Sequence, residues 1–372
     1  MKKIAILNQD SGYLMIDLAN TFCEAGYDVE LITGRLAQRT KPLSDDIKLK
    51  KIIQYNRSNS FNRITTWIVG ALQMIFLVIF KLHDYHLFIV SNPPFAPLIP
   101  LVLKNSYSIL IFDIYPDALT EAGMISKKNI FANIWKKANI RAFSKADRVF
   151  TITDGMKQLL CQYTDKKRIV VVPIWSDNSL KPIAPNENEF IKRHNLEGKF
   201  IILYSGNLGL LNEVDILIDI VSKIPNTKVF LIIIGRGPKY LQIEKKATKL
   251  KLNNFLLMPW QAASELPHTF AAANLAVISL GKSASRIGIP SKIYNFMSVG
   301  APILGLASPD SDLDSLVNQY QIGKCFTPNM QNEIQQYIEY LVENDNICKR
   351  LSKNALCASL KFTEKNASKF LE

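Results

Sequence analysis

Two α/β domains, each built on a parallel sheet with helices on both faces, are what this sequence predicts. Three observations carry the expectation. Apolar runs of four to six residues, such as Lys3–Leu7 and Val149–Thr153, alternate with helical stretches through the first half, which is the pattern of strands buried on both faces. The alternation stops after Trp175 in SDNSLKPIAPNENEF and restarts at Phe200. A chain of 372 residues exceeds one ordinary core and suits two domains of roughly 150 to 200 residues. The expected boundaries are 1–178 for the first domain, 179–198 for a linker and 199–360 for the second, with 361–372 a closing helix that packs back toward the first.

In the first half, Lys3–Leu7 is a strand, Leu14–Ala25 a helix closed by Gly26, and Val29–Thr33 the next strand. Leu87–Val90, Ser108–Phe112, Val149–Thr153 and Ile169–Val172 complete the series. Ligands of such sheets lie beyond the carboxyl ends of the strands. Loops 8–12, 91–94 and 113–117 all follow strands, so they can line one edge. Between them Ile64–Phe80, ITTWIVGALQMIFLVIF, is almost wholly apolar, with Arg57 and Arg63 before it and Lys81 after it. It is short of the ~20 residues that span a bilayer. A buried core helix and partial immersion in a membrane surface are both open for it.

In the second half, Phe200–Tyr204 leads into Ser205-Gly206-Asn207-Leu208-Gly209, and Lys228–Ile234 leads into Gly235-Arg236-Gly237-Pro238. Glycine after a strand lets backbone approach a ligand, but neither turn fits a dinucleotide or P-loop signature. Asn254–Met258 and Asn274–Ser279 follow, the latter entering RIGIPSKIYNFMSVGAPILG, residues 286–305. There Gly288 and Pro290 shape a loop, Ser291 can cap a helix, Lys292 adds a cation to its first turn, and Gly300-Ala301-Pro302 ends it. A helix start with a lysine suits a phosphate or pyrophosphate; an ordinary capped helix with a surface lysine is the alternative.

The formal net charge of +13 calls for a polyanionic partner: nucleic acid, an anionic membrane face or a phosphorylated substrate. No nucleic-acid module appears, so a nucleic-acid partner is not expected. Five scattered cysteines without CxxC pairing read as reduced thiols, and the N-terminus lacks the long apolar stretch of a signal peptide. Asp310-Ser311-Asp312-Leu313-Asp314 reads as a capped helix start rather than a metal site, and no Ser-His-Asp grouping presents itself.

YSGNLG, IGRGP, MPWQAASELPHTFAAANLAVISL and GIPSKIYNFMSVGAPIL, in that order, resemble the nucleotide-sugar half of retaining glycosyltransferases of family 4, which have the two-domain GT-B fold. DIYPD, VVVPIWSDN and the closing FTEKNASKFL are similar to the branch that builds bacterial surface polysaccharides, including N-acetylfucosamine-type transferases. The resemblance covers nearly the whole chain. It implies a metal-independent enzyme without a cofactor, taking a UDP-sugar or GDP-sugar donor. Lys292 would contact the donor diphosphate, with Gly206, Asn207, Pro290 and Ser291 beside it. Arg236, Glu265 and Leu266 would approach the nucleotide. Asp10, Ser11 and Gly12 would border the acceptor, and Asp117, then Asp113, would contact the sugar or the acceptor hydroxyl.

Two positions depart from the family. Many members carry glutamates where this chain has Ile287 and Asn295; Asn295 can still hydrogen-bond a ribose, whereas Ile287 cannot replace a carboxylate. A sugar-nucleotide epimerase and a non-catalytic partner on the same fold are therefore the alternative readings. Transferases of this branch commonly use polyprenyl-diphosphate-linked acceptors. That implies a cytoplasmic protein peripheral to the inner face of the plasma membrane, held through Ile64–Phe80 and basic clusters such as Lys136, Lys137, Arg141 and Lys145.

Overall fold

The computed structural model describes residues 2–38, 41–121, 123, 125, 126, 128–177, 179–210, 212–225, 228–280 and 288–371. The chain forms two compact units, Met1–Ile174 with Glu364–Glu372, and Trp175–Thr363.

The first unit is a parallel sheet. Its strands are β1 (Lys3–Leu7), β3 (Asp28–Thr33), β5 (Lys48–Lys51), β6 (His86–Val90), β7 (Tyr107–Ile111), β8 (Val149–Thr151) and β9 (Ile169–Val171), in the order β5-β3-β1-β6-β7-β8-β9. A separate short pair joins β2 (Asp10–Ser11) to β4 (Arg35–Leu36). The helices are α1 (Tyr13–Glu24), α2 (Ser60–Lys81), α3 (Asp117–Glu121), α4 (Ile130–Lys145) and α5 (Asp154–Leu160). The apolar runs became strands because side chains such as Ile6, Leu31, Leu87 and Ile109 are fully buried. β5, KLKK, went unpredicted because an edge strand may expose charge on both faces.

The second unit is a six-stranded parallel sheet of β10 (Phe200–Asn207), β11 (Val229–Arg236), β12 (Phe255–Met258), β13 (Leu275–Ser279), β14 (Ile303–Leu306) and β15 (Gly323–Phe326). Its order is β12-β11-β10-β13-β14-β15. Strands added outward on one side, then on the other, leave a switch point between β10 and β13, where sheets of this kind bind ligands. Around it lie α6 (Glu189–Arg193), α7 (Ile216–Lys223), α8 (Tyr240–Lys249), α9 (Leu266–Ala271), α10 (Lys292–Ser298), α11 (Asp312–Tyr320), α12 (Gln331–Glu343) and α13 (Asp345–Ser359). The Ser311 hydroxyl accepts from the Asp314 amide at 3.1 Å, so the aspartate-rich stretch is a capped helix start.

One expectation needs correction. Residues 179–198 are not a free linker: Asn188 caps α6, and Phe190 and Ile191 are buried within the second unit, on whose α9 the helix packs. The closing segment Glu364–Leu371 is a 3-10 helix belonging to the first unit, held where Phe370 meets Phe88 and Phe150 edge-on at ring distances of 5.7 and 5.0 Å.

Candidate functional site

At the switch point of the second unit stands Lys292. Its stem rises from the first turn of α10, and its Nζ lies 4.7 Å from the centre of the Tyr204 ring, near the end of β10. The passage is open only because residue 206 is glycine: a Cβ there would stand 1.8 Å from Nζ. Burial pushes the ammonium pKa down to about 8, since a charge away from water is disfavoured unless paired. Among the described residues no carboxylate pairs with it. Thus the chain holds a half-buried cation at the carboxyl end of the sheet, and among the described residues an aromatic face is what stabilises it.

Around Lys292 the loops are tied to one another. The Tyr204 hydroxyl donates to the Asn207 carbonyl at 2.8 Å, and the Asn212 amide donates to the same oxygen at 2.7 Å. Asn207 itself is exposed. Arg236 ends β11 directly across from Asn207, and its guanidinium stacks 5.1 Å from the centre of the Trp260 ring, which is mostly exposed. An exposed indole with a cation on one face is a surface on which a nucleobase can stack. Glu265 precedes α9, and its carboxylate takes Arg193 at 2.7 Å, while Leu266 opens that helix.

Several sequence expectations change here. Ser291 does not cap α10: its backbone is already helical and its hydroxyl accepts no amide. With seven residues α10 is also short, so Lys292 carries the cationic character more than the helix dipole does. Gly300, with φ of 76°, does end the helix. Pro290 and Asn295 are half-buried, and the Asn295 carbonyl oxygen is buried without a hydrogen-bond partner. Ile287 lies outside the described residues. Tyr204 and Trp260, the two aromatic supports, stand inside the motifs YSGNLG and MPWQAASELPHTFAAANLAVISL, where an aromatic reads as strand or core and gives no signal of its own.

In the first unit, the expected acceptor loop forms part of a cavity of about 150 Å³ lined by Asn8, Asp10, Gly12, Tyr13, Asn92 and Phe112. Asp10 does not face it as a free carboxylate. It receives Arg35 Nε at 2.6 Å and Arg57 Nη2 at 3.1 Å, and its side chain is 8% exposed. Ser11 is buried, with its hydroxyl accepting from Asn8 at 3.0 Å. Asp117, the preferred polar contact, is likewise engaged: Lys136 lies 2.8 Å away and the Tyr163 hydroxyl donates to it. Asp113 is the exposed one, with no partner for its carboxylate among the described residues, and desolvation by surrounding protein raises its pKa. Of the two aspartates, Asp113 is thus the one whose carboxylate is not engaged among the described residues.

α2 resolves as a half-buried helix rather than a core helix. It is 22 residues long with a mean hydropathy of 1.8 over its most apolar window, 28% of which is buried. Thr66, Gly70, Ala71, Met74 and Val78 face inward, while Phe61, Ile64, Ile68, Leu72, Phe76 and Phe80 form an exposed stripe.

Residues 186–356 match the family model described as glycosyl transferases group 1. This segment is similar to a glycosyltransferase group 1 domain. The chain is 24% identical to a Pseudomonas aeruginosa protein named "Probable glycosyltransferase WbjE" over 67% of its own length and 63% of that protein's, so it spans less than two thirds of this relative. A chitobiosyldiphosphodolichol beta-mannosyltransferase of Candida albicans is 22% identical over 91% of this chain and 79% of its own. Among solved structures, Anabaena Alr3699/HepE in complex with UDP and glucose superposes with a TM-score of 0.74 at 15% identity, over 100% of this chain and 98% of that one. The fold is thus GT-B, with two Rossmann-like domains. Tyr204, Gly206, Arg236, Trp260 and Lys292 all fall inside the matched glycosyltransferase group 1 domain. The relatives are glycosyltransferases, and the epimerase reading is not favoured.

Proposed function

We propose that this chain is a retaining, metal-independent glycosyltransferase that moves a sugar from a nucleotide diphosphate sugar, UDP-linked in preference to GDP-linked, onto a lipid-linked saccharide in surface polysaccharide synthesis. The observation that carries the reading is Lys292, a desolvated ammonium without a carboxylate partner, set against Gly206 at the switch point of the group 1 domain. Glycosyl transfer leaves negative charge on the departing diphosphate, and a preorganised cation in a water-poor site stabilises that charge as it develops. Arg236 and Trp260 supply the nucleoside end of the same site. Asp113 is the polar group proposed to meet the transferred sugar or the acceptor hydroxyl. The UDP and glucose in the HepE complex and the diphosphodolichol-linked saccharide named for the Candida relative support donor and acceptor classes of this kind.

The proposal places the chain at the cytoplasmic face of the plasma membrane. Among the described residues of the first unit, every exposed large apolar side chain lies on α2, on the turn Ala96–Val102 or on α4, and both helices pack against that turn. Lys136, Lys137 and Arg141 on α4 border this face, which fits an anionic surface. The test is to incubate purified protein with membranes carrying lipid-linked saccharides and a panel of labelled UDP- and GDP-sugars. Label should enter the lipid fraction, and the anomeric configuration of the product should match that of the donor. Label found as free sugar, or in neither fraction, refutes the reading, and an inverted product refutes retention.

A further inference from the structure

We infer that the carboxyl edge of the first unit's sheet holds a binding site for the diphosphate of a polyprenyl diphosphate, formed by Arg63 and Arg57, with the isoprenoid tail lying along the exposed stripe of α2. The inference rests on reading the acceptor as lipid-linked and assigns the residues that recognise the lipid.

Three guanidiniums meet at this edge. Arg35 and Arg57 share the carboxylate of Asp10, and the Arg57 guanidinium lies 4.8 Å from the centre of the Tyr55 ring. Arg63, in the first turn of α2, has no ion pair among the described residues; it lies 5.5 Å from the centre of the Trp67 ring. Tyr55 and Trp67 stack with ring centres 5.5 Å apart, so the two cation–aromatic pairs form one layer. Asp10 and Asp113 set two negative charges against three positive ones, an excess suited to an anion.

Two donors in this layer lack acceptors. The Arg63 Nε and the Trp67 Nε1 are both buried without a hydrogen-bond partner. A buried N–H left unpaired costs free energy that an oxygen-rich ligand restores. Two donors beside an excess of guanidinium charge fit the multiple oxygens of a diphosphate, which arginine binds through its planar fork.

The apolar half of the ligand follows from α2. Gln9, in the loop after β1, donates to the Thr66 carbonyl at 2.7 Å and to the Ile53 carbonyl at 3.2 Å, fixing the helix start to the carboxyl edge. From Phe61 the exposed stripe runs down the helix to Phe80, about 28 Å at 1.5 Å per residue. Beside it a groove of about 360 Å³ opens between β5 and α2, lined by Ile52, Val69, Leu72, Phe76 and Leu77 with Lys51 at its rim. A ligand anionic at one end and apolar along its length matches this sequence of surfaces.

The test measures binding of farnesyl diphosphate, a soluble short-chain probe, by calorimetry in the absence of any donor, with inorganic pyrophosphate as comparator. Wild type should bind farnesyl diphosphate at least about tenfold more tightly than pyrophosphate. Arg63→Gln should weaken it by about tenfold or more, in the wild-type and in the Lys292→Met background alike, so that the loss is independent of the diphosphate site proposed at Lys292. A Leu72→Gln, Phe76→Gln double variant should lose the preference for farnesyl diphosphate and keep pyrophosphate binding. Arg63→Lys, which keeps the charge but not the fork, should fall between, and supplies the comparison should Arg63→Gln melt early. Equal affinity for the two ligands, or wild-type affinity in both Arg63 variants, would overturn the inference. Because no donor is present, a failure of glycosyl transfer is read separately from a failure of lipid recognition.

Discussion

Replacing Lys292 with methionine should slow the enzyme and stabilise the fold. Methionine keeps the unbranched stem and removes the charge. Loss of one preorganised donor to the leaving diphosphate costs about 3 kcal/mol of transition-state stabilisation, or ~10²-fold in kcat. The stability effect has the opposite sign. The folded-state pKa is about 8 against 10.5 for the free side chain. Below pH 8 both states hold the proton, and the native state bears the full cost of burying it, on the order of 3 kcal/mol at most. Between pH 8 and 10.5 the unfolded chain binds more protons than the native one, so wild-type stability rises with pH across that window. The Tyr204 ring beneath the ammonium offsets part of the cost.

Purified wild type and Lys292→Met should therefore be compared by denaturant melts at pH 7 and pH 10, alongside initial rates. The variant should be the more stable at pH 7, and its advantage should shrink toward pH 10. In wild type kcat/KM should fall above about pH 8, as the free-enzyme ammonium deprotonates, and Lys292→Arg should lack that limb. A methionine variant that turns over at the wild-type rate would remove Lys292 from the chemistry. One less stable than wild type at pH 7 would show that the lysine is paired after all.

Other consequences test neighbouring parts of the site. Gly206→Ala puts a Cβ where Nζ now lies; kcat should drop by at least about tenfold, with a circular dichroism spectrum like that of wild type. Trp260→Ala removes the face on which Arg236 rests, and donor KM should rise roughly two- to fivefold with kcat little changed. Asp117→Asn should lower stability by about 1–2 kcal/mol in a urea melt, because the charge that pairs with Lys136 is lost and one of the two accepting oxygens becomes an NH2 group, whereas Asp113→Asn should lower kcat without lowering stability, since it removes a desolvated charge.

The sheets were legible because a parallel strand buried on both faces must be an uninterrupted apolar run, and Ile201–Leu203 or Val229–Ile234 allow little else. β5 and β15 were not, since edge strands need only one neighbour and tolerate lysines. The carboxyl end of the second unit's sheet was legible in outline: Gly206, Arg236 and Lys292 stand in recognisable motifs, and the fold brings the first and last into contact. Their support was not, because an aromatic such as Tyr204 gives one sequence signal whether it fills the core or carries a cation. The carboxyl edge of the first unit was read least well. Asp10 and Asp117 look like free carboxylates in sequence, yet Arg57 lies 47 positions from the first and Tyr163 46 from the second, separations at which no local pattern announces a partner.

The two carboxyl edges treat their cations differently, and the difference bears on what each is for. In the first unit Asp10 gathers Arg35 and Arg57, both more than half exposed. Such pairing orients guanidiniums at little electrostatic cost and keeps them in place whether or not a ligand is present. In the second unit Lys292 is desolvated and, among the described residues, without a carboxylate partner, so its charge is at its most costly in the empty protein and, on the proposed reading, would be at its most useful when a diphosphate arrives. A carboxylate beside it would raise its pKa and stabilise the fold, but would also compete with the ligand for the same ammonium. The absence of such a carboxylate among the described residues is therefore better suited to charge that appears during a reaction than to charge that is permanently present. By the same reasoning, introducing a carboxylate at exposed Asn207, through Asn207→Asp, should stabilise the ligand-free fold at pH 7 and weaken donor binding. A variant that gains stability without losing affinity would show that ground-state pairing and donor binding do not share the Lys292 ammonium.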